Sequence, residues 1–266
     1  MKKYLAITGP IAAGIYCFLY LPILVIVLNS FNSARGEYEW KGFDLRWYRT
    51  LFADEAALSA LQNSLVLATT SAAIATVIGT LLGYGLNRYR FPGKRTFNGF
   101  LHLPAYVPDI VLASALLLFF TLLRQRAGWL APGMTTMILA HVTMQIPIVA
   151  IIVRARLEIW GDSYEEAAAD LGASPTKRFR MITVPLMKPG VIAGGLLAFT
   201  LSLGDFVVSL FTAGPGSKTV PILVYQKIGS GHTNDLNALS TLIIAISALT
   251  AIIVALIQSS RRYQDT

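Results

Sequence analysis

Six long apolar runs constrain this chain more than any other feature of its sequence. A helix needs about 20 predominantly apolar residues to cross a bilayer. Backbone groups in a bilayer must be hydrogen-bonded within the segment, and the period-2 alternation of a membrane barrel is absent. The sequence therefore predicts an all-α integral membrane protein, a single domain over residues 1–266. Its expected spans lie near residues 10–31, 61–87, 97–123, 133–153, 190–211 and 239–258.

Composition and charge support a membrane protein and argue against a nucleic-acid-binding one. Charged residues make up only 14% of the chain, whereas a soluble domain carries about 25%. The net charge of +8 comes from Lys and Arg residues clustered at the ends of apolar runs. The charge-free run from Tyr4 to Ala34 exceeds the apolar core of a signal peptide and has no clear cleavage site, so we interpret it as the first span. Lipid, and not nucleic acid, is the expected environment.

The distribution of basic residues predicts the orientation. If the N-terminus is cytoplasmic, fourteen of the 22 Lys and Arg residues lie on the cytoplasmic side and eight on the outer side. An excess of Lys and Arg marks cytoplasmic segments. We therefore expect both termini to be cytoplasmic.

Residues 163–185 form the longest polar passage between two apolar runs. Ser163 and Glu166 have the spacing of a capping box, which indicates a helix start. One face of that helix then carries, at i, i+3, i+4 and i+7, Tyr164, Ala167, Ala168 and Leu171. Gly172 stands where a helix ends in a left-handed residue, and Ser174-Pro175 has the pattern of a new N-cap and first helical residue. The passage predicts a short helix, a sharp turn and a second helix.

This passage resembles the EAA loop of permease subunits in binding-protein-dependent ABC importers. The matching residues are Glu166-Ala167-Ala168, Gly172, and Ile182 with Val184-Pro185, which we expect to end the second helix. The resemblance implies a type I ABC importer permease fold, with residues 163–185 as a cytoplasmic coupling loop that docks on an ATPase subunit. The coupling residues that it implies are Glu165, Glu166, Ala167, Ala168, Asp170 and Gly172. An ordinary amphipathic helix between two spans is the alternative.

Further motifs resemble the C-type permease subunit of spermidine/putrescine ABC importers over nearly the whole chain. They include Arg46-Trp47-Tyr48, Val107-Pro108-Asp109-Ile110 and Phe199-Thr200-Leu201-Ser202. That family commonly has paired aspartates where this chain has Gly204-Asp205. The resemblance implies a polyamine substrate. Because the paired aspartates are missing, other solutes remain as alternative substrates, namely an opine, an amino acid derivative or an aminophosphonate.

Four residues are candidates for a cation path. Asp109 and Asp205 are each the only charge in an apolar span, and intramembrane carboxylates usually face a cavity or a partner. Ser202 is three residues before Asp205, so a shared helix face is expected. Trp47 could contact a cation at the outer mouth. The alternatives are an interfacial anchor for Trp47 and, for the aspartates, pairing with His102 or His141 or capping of a helix broken after Pro108.

The sequence shows no pattern of residues for catalysis or for cofactor binding. Gly214–Thr219 lacks P-loop spacing, the three histidines have no metal spacing, and the one cysteine, Cys17, permits no internal disulfide. No serine has a hydrolase context. We therefore expect no enzyme activity and no cofactor on this chain, with ATP and Mg²⁺ bound by the ATPase.

The resemblance also implies partners and a location. It implies a second permease in a heterodimer, two copies of an ABC ATPase subunit, and a periplasmic or surface solute-binding protein, with alternating access in the bacterial inner membrane. The rivals are an ion-coupled secondary transporter with the aspartates as proton sites, and an intramembrane enzyme. The EAA-like loop disfavours the first, and no convergent catalytic set supports the second.

Overall fold

A computed structural model describes residues 2–34, 39–128, 130–161, 163–229 and 234–262. The described residues form helices and one isolated bridge, between Asn32 and Phe43. A π-helical turn, Phe179–Thr183, lies between Arg178 and Val184. The helices are α1 Lys2–Ser30, α2 Arg46–Ala53, α3 Glu55–Arg88, α4 Lys94–Leu101, α5 Leu103–Tyr106, α6 Asp109–Ala127, α7 Met134–Trp160, α8 Ser163–Asp170, α9 Pro175–Arg178, α10 Val184–Gly204, α11 Val207–Thr212, α12 Val220–Gly229 and α13 Asn234–Arg262.

Six segments among the described residues are long and apolar enough to cross a membrane. The prediction of an all-α membrane protein with six spanning helices is confirmed. The segments are Gly9–Ser30, Glu55–Arg88, Asp109–Ala127, Met134–Ile159, Pro175–Gly204 and Leu236–Ile253.

The third and fifth spans differ from their predicted bounds. The predicted span 97–123 is divided, because Val107 precedes Pro108 and is held extended, and the long helix begins only at Asp109. The expectation that Val184-Pro185 ends a helix is wrong. Pro185 lies in the first turn of α10, where a missing N–H costs no intrahelical bond, so the helical path continues from Pro175.

The fifth span also ends earlier than predicted. The helix stops at Gly204, Asp205 is extended with φ −72° and ψ 126°, and α11 begins at Val207. Asp205 therefore lies at a break between helices. The expectation that Ser202 and Asp205 share one helix face is wrong for that reason.

The chain divides into two compact units. Unit 1 comprises Met1–Ser59 and Leu223–Ile246. Within it, the Ser30 hydroxyl lies 2.8 Å from the Tyr48 hydroxyl, and Lys227 Nζ lies 2.9 Å from Asp54 Oδ2.

Unit 2 comprises Ala60–Ile222 and Ser247–Thr266, and its core is built on α7. Glycines let α3 and α10 approach α7 closely. A Cβ on Gly83 of α3 would lie 2.6 Å from the Ala150 carbonyl oxygen, and one on Gly194 of α10 would lie 3.3 Å from Val149 Cγ1. A larger side chain at either glycine would therefore push the helices apart.

Candidate functional site

A cavity of about 560 Å³ lies in unit 2, bordered by residues of α5, α6, α7, α10 and α11. It brings together three of the four residues predicted for a cation path, namely Asp109, Ser202 and Asp205. Its other polar lining residues are His141, Gln145 and Thr200. The sequence could not show this grouping, because the residues come from three separate spans.

His141 of α7 is the centre of a buried polar network. Its side chain is only 2% exposed. Nδ1 lies 2.7 Å from Ser202 Oγ, and Nε2 lies 3.1 Å from Ser209 Oγ and 3.4 Å from Asp205 Oδ2. One imidazole thus joins the last turn of α10, the helix break and α11. From the sequence, His141 was expected only as an alternative partner for an aspartate, and that pairing is present.

Asp205 occupies the break between α10 and α11. The Ser209 backbone N–H donates to Asp205 Oδ2 at 2.8 Å, so the carboxylate caps the first turn of α11. The contact with His141 involves the same oxygen. The Asp205 side chain is 21% exposed and lines the cavity. This geometry fixes the carboxylate while leaving it open to a ligand.

The network continues from Ser202 towards α3. Ser202 Oγ lies 3.2 Å from Ser71 Oγ, and Gln145 Nε2 donates to Ser71 Oγ at 3.2 Å. Gln145 Oε1 is buried and has no hydrogen-bond partner among the described residues. These polar groups hold α3, α7 and α10 together beside the cavity. Neither Gln145 nor Ser71 was singled out from the sequence, since isolated polar residues in spans give little signal.

Asp109 is the first residue of α6, directly after Pro108. A carboxylate is stabilised in the first turn of a helix by the helix dipole. The side chain is exposed in the chain and faces the same cavity as Asp205. The helix is broken at Pro108, as the capping alternative requires, but the Asp109 side chain makes no capping hydrogen bond among the described residues. Its place in the cavity wall fits the cation path.

Trp47 belongs to unit 1, and its described contacts are internal to that unit. Its indole Nε1–H donates to the Asn32 carbonyl at 2.7 Å. The Arg46 guanidinium lies 4.5 Å from its ring centroid. These contacts fix the ring in the segment between α1 and α3.

The turn after α8 has the form that the sequence predicted. Gly172 has φ +77°, a left-handed conformation. Its N–H bonds the Ala169 carbonyl, and the Ala173 N–H bonds the Ala168 carbonyl, both at 2.9 Å, which is a Schellman motif. Ser174 is extended before Pro175, which starts α9. The sharp turn itself spans only residues 171–174. The rest of the passage, from residue 175 to residue 185, is helical.

The coupling residues divide between two faces of α8. Glu165 turns inward, with Oε2 3.1 Å from an Arg88 guanidinium nitrogen and Oε1 accepting from Thr183 Oγ1 at 2.5 Å. Glu166, Ala167 and Asp170 are exposed. A salt bridge to the end of α3 could not be foreseen, because Arg88 resembles any other basic residue at the end of a span.

Gly214–Thr219 forms a turn tied to α3. The Asn63 amide donates to the Gly216 carbonyl at 2.9 Å and to the Lys218 carbonyl at 3.0 Å. These two bonds fix the segment against α3. His232, the third histidine, lies outside the described residues.

The chain belongs to the family of binding-protein-dependent transport system inner membrane components, whose model matches residues 75–266. It is a permease subunit of an ABC transporter, and ATP is hydrolysed by a separate ATPase. It is a multi-pass membrane protein.

Two relatives of known name cover most of the chain. The putrescine transport system permease protein PotI of Escherichia coli (strain K12) is 42% identical over 240 residues, which span 90% of this chain and 85% of that protein. The spermidine/putrescine transport system permease protein PotC of the same strain is 38% identical over 258 residues, spanning 97% and 96%.

Solved structures share the fold. A chain of a bacterial alginate ABC transporter, in complex with an alginate pentasaccharide-bound periplasmic protein, matches with a TM-score of 0.77 and 16% identity, covering 100% of this chain and 96% of that chain. A chain of the inward-facing MetNI methionine ABC transporter matches with a TM-score of 0.64 and 20% identity, covering 78% and 98%.

Proposed function

We propose that this protein is one of two permease subunits of an ATP-driven importer that carries putrescine or spermidine across the bacterial cytoplasmic membrane. The observation that carries the proposal is one cavity lined by two carboxylates, Asp109 and Asp205. Similarity to PotI and PotC, which are named for putrescine and spermidine/putrescine transport, supports the same substrate class.

The cavity suits an alkyl chain with charged ends. An ammonium group that leaves water needs carboxylates or aromatic faces in exchange for hydration. Asp109 and Asp205 supply the charge, and the remaining lining is largely apolar, which suits methylene groups. Apolar lining residues include Met144, Ile148, Leu201, Phe206 and Val207.

The negative charge of the cavity lining argues against the alternative solutes. Opines, amino acid derivatives and aminophosphonates carry an anionic group, which two aspartates would repel. Gly204 borders the cavity beside Asp205 and supplies no further carboxylate. Asp205 therefore carries more of the charge compensation than it would beside a second aspartate. An ion-coupled transporter would need no ATPase and is disfavoured by the family assignment.

The exposed face of α8 is the proposed docking surface for the ATPase. Leu171 is 89% exposed and Tyr164 is 51% exposed, with Ala167 between them on the same face. Exposed apolar residues of this kind mark a protein contact. Closure of the ATPase dimer on ATP would move α8, and the membrane helices would turn as rigid bodies between inward and outward access.

The proposed assembly contains a second permease, two ATPase subunits and a solute-binding protein, and both termini of this chain are cytoplasmic. The orientation is tested by labelling a single cysteine at an exposed position of the same turn, Lys218→Cys, in a Cys17→Ala background. We expect an impermeant reagent to reach it from outside the cell. Labelling from the cytoplasmic side alone contradicts the orientation.

The substrate is tested by uptake. The chain is expressed with its partner permease, ATPase and binding protein in cells lacking polyamine importers, and uptake of radiolabelled putrescine and spermidine is measured. We expect vanadate-sensitive uptake of at least one. Uptake of neither, with uptake of an anionic or zwitterionic solute instead, would assign the importer to another substrate class.

A further inference from the structure

We propose that Glu165, Arg88 and Thr183 form a clasp that passes movement of α8 to the membrane helices α3 and α10. The proposal rests on the proposed role of α8 as the ATPase-docking helix. Glu165 is a positioning residue in this account, since it acts through the helices it joins and not through contact with a substrate or with the ATPase.

α8 needs contacts that anchor it to the rest of the subunit. The helix has eight residues, none of them fully buried. A helix of this length is not stable by itself in water. A force applied to its exposed face would tilt or unwind it unless specific contacts fixed it to the rest of the subunit. The face opposite the exposed one is where such contacts must lie.

One carboxylate, that of Glu165, connects α8 to two different membrane helices. Glu165 Oε2 pairs with Arg88, the last residue of α3, at 3.1 Å. Glu165 Oε1 accepts from the Thr183 hydroxyl at 2.5 Å, and Thr183 is the residue directly before α10. The Glu165 side chain is only 18% exposed, so the ion pair is partly shielded from water and salt.

The clasp meets α10 at a π-helical turn. Thr183 is buried and ends the π-helical turn that begins at Phe179. Short π-helical stretches interrupt the regular hydrogen-bond ladder, and helices bend at them. Beside the clasp, the rings of Tyr84 and Phe179 pack edge to face at 5.2 Å, so α3 also contacts this turn directly. Displacement of α8 would therefore reach α3 and α10 together.

The experiment measures coupling in the complete transport complex, reconstituted in liposomes. Three variants each remove one partner of a clasp contact, namely Glu165→Gln, Arg88→Gln and Thr183→Val. Glu158→Gln is the matched control, since it removes the exposed 2.7 Å ion pair with Arg154 at the end of α7. We expect putrescine uptake per ATP hydrolysed to fall at least about fivefold in the three clasp variants, with normal copurification of the ATPase and no change in the control. The exchange Arg88→Glu with Glu165→Arg should recover part of the loss.

A second readout needs no solute, so failure of the substrate proposal is distinguishable from failure of the clasp. Spin labels at Ala169→Cys and Arg90→Cys, in a Cys17→Ala background, report the separation of α8 from the end of α3. We expect ATP binding to leave this separation unchanged in the parent complex and to alter it in Glu165→Gln.

Three results would overturn the clasp. One is unchanged uptake per ATP in all three variants. Another is a distance between the two spin labels that responds to ATP binding in the same way in the parent complex and in Glu165→Gln. The last is loss of ATPase copurification in Glu165→Gln but not in Arg88→Gln or Thr183→Val, which would make Glu165 a docking residue.

Discussion

Asp205 and Glu165 are two partly buried carboxylates in the same unit, and their partners differ in charge. Glu165 is paired with Arg88, which carries a permanent positive charge. Asp205 is held by a backbone N–H and by an imidazole, which is charged only when protonated. A carboxylate neutralised by arginine has little attraction left for a ligand, whereas one held by dipoles keeps its negative charge.

The role of a carboxylate thus depends more on its partner than on its residue type. Both side chains were candidates from the sequence, one for coupling and one for the cation path. The structure places the first in an intramolecular ion pair between helices and the second at the wall of a cavity. Variants that act on one region and spare the other therefore separate coupling from substrate recognition.

The largest expected effect is on the coupling side, at the turn that ends α8. Gly172→Val places a β-branched residue at φ +77°, which costs about 1–3 kcal/mol in strain and disturbs the Schellman turn. We expect uptake to be abolished while the protein still inserts and binds its partner permease. Gly85→Ala is the matched control, because a methyl group there meets nothing within 4 Å. Normal uptake in Gly172→Val would show that the turn does not transmit coupling.

A smaller effect is expected on the cavity side when the histidine is replaced. His141→Leu removes the partner of Ser202 and Asp205, so the carboxylate loses part of its fixed orientation. We expect the KM for putrescine uptake to rise roughly tenfold, which corresponds to about 1.4 kcal/mol, with ATP hydrolysis still coupled. His141→Gln keeps a donor and should recover part of the KM. A lower Vmax at unchanged KM would instead place His141 in coupling.

The sequence predicted the fold class and the turn at Gly172 because both depend on local patterns. Apolar length fixes a spanning helix, and a glycine after a capped helix fixes a left-handed stop. The clasp and the cavity network could not be predicted, because most of their contacts join residues that are distant in the sequence. Arg88 and Glu165, and likewise Ser71 and Gln145, are 70 or more residues apart. The break at Asp205 was missed because Gly204 and Asp205 interrupt an apolar run without a proline to mark the end of the helix.

The smallest effect is expected at the ion pair of Asp54 and Lys227 in unit 1, which belongs neither to the clasp nor to the cavity. The hydrogen bond and charge of Lys227 lower the pKa of Asp54 from its ordinary value of 3.8. A lowered folded-state pKa stabilises the protein above the ordinary pKa, and this contribution is lost as the pH falls through the lower folded-state value. Since both side chains are partly exposed, the contribution is about 0.2–1 kcal/mol.

Thermal unfolding of the purified complex tests this pair. Asp54→Asn should lower the Tm slightly at neutral pH, and the difference from the parent should shrink as the pH falls below about 4. A difference that is constant with pH would mean that the side chain acts through packing and not through its charge.

The central claim, that the Asp205 carboxylate compensates the charge of a transported cation, is tested most directly by putrescine uptake in Asp205→Asn. The substitution nearly preserves volume and removes the charge. We expect the uptake rate to fall at least about tenfold, with ATPase copurification unchanged because α8 and its clasp are untouched. Unchanged uptake in Asp205→Asn would contradict the claim, and failure of the complex to assemble would assign Asp205 to packing beside His141.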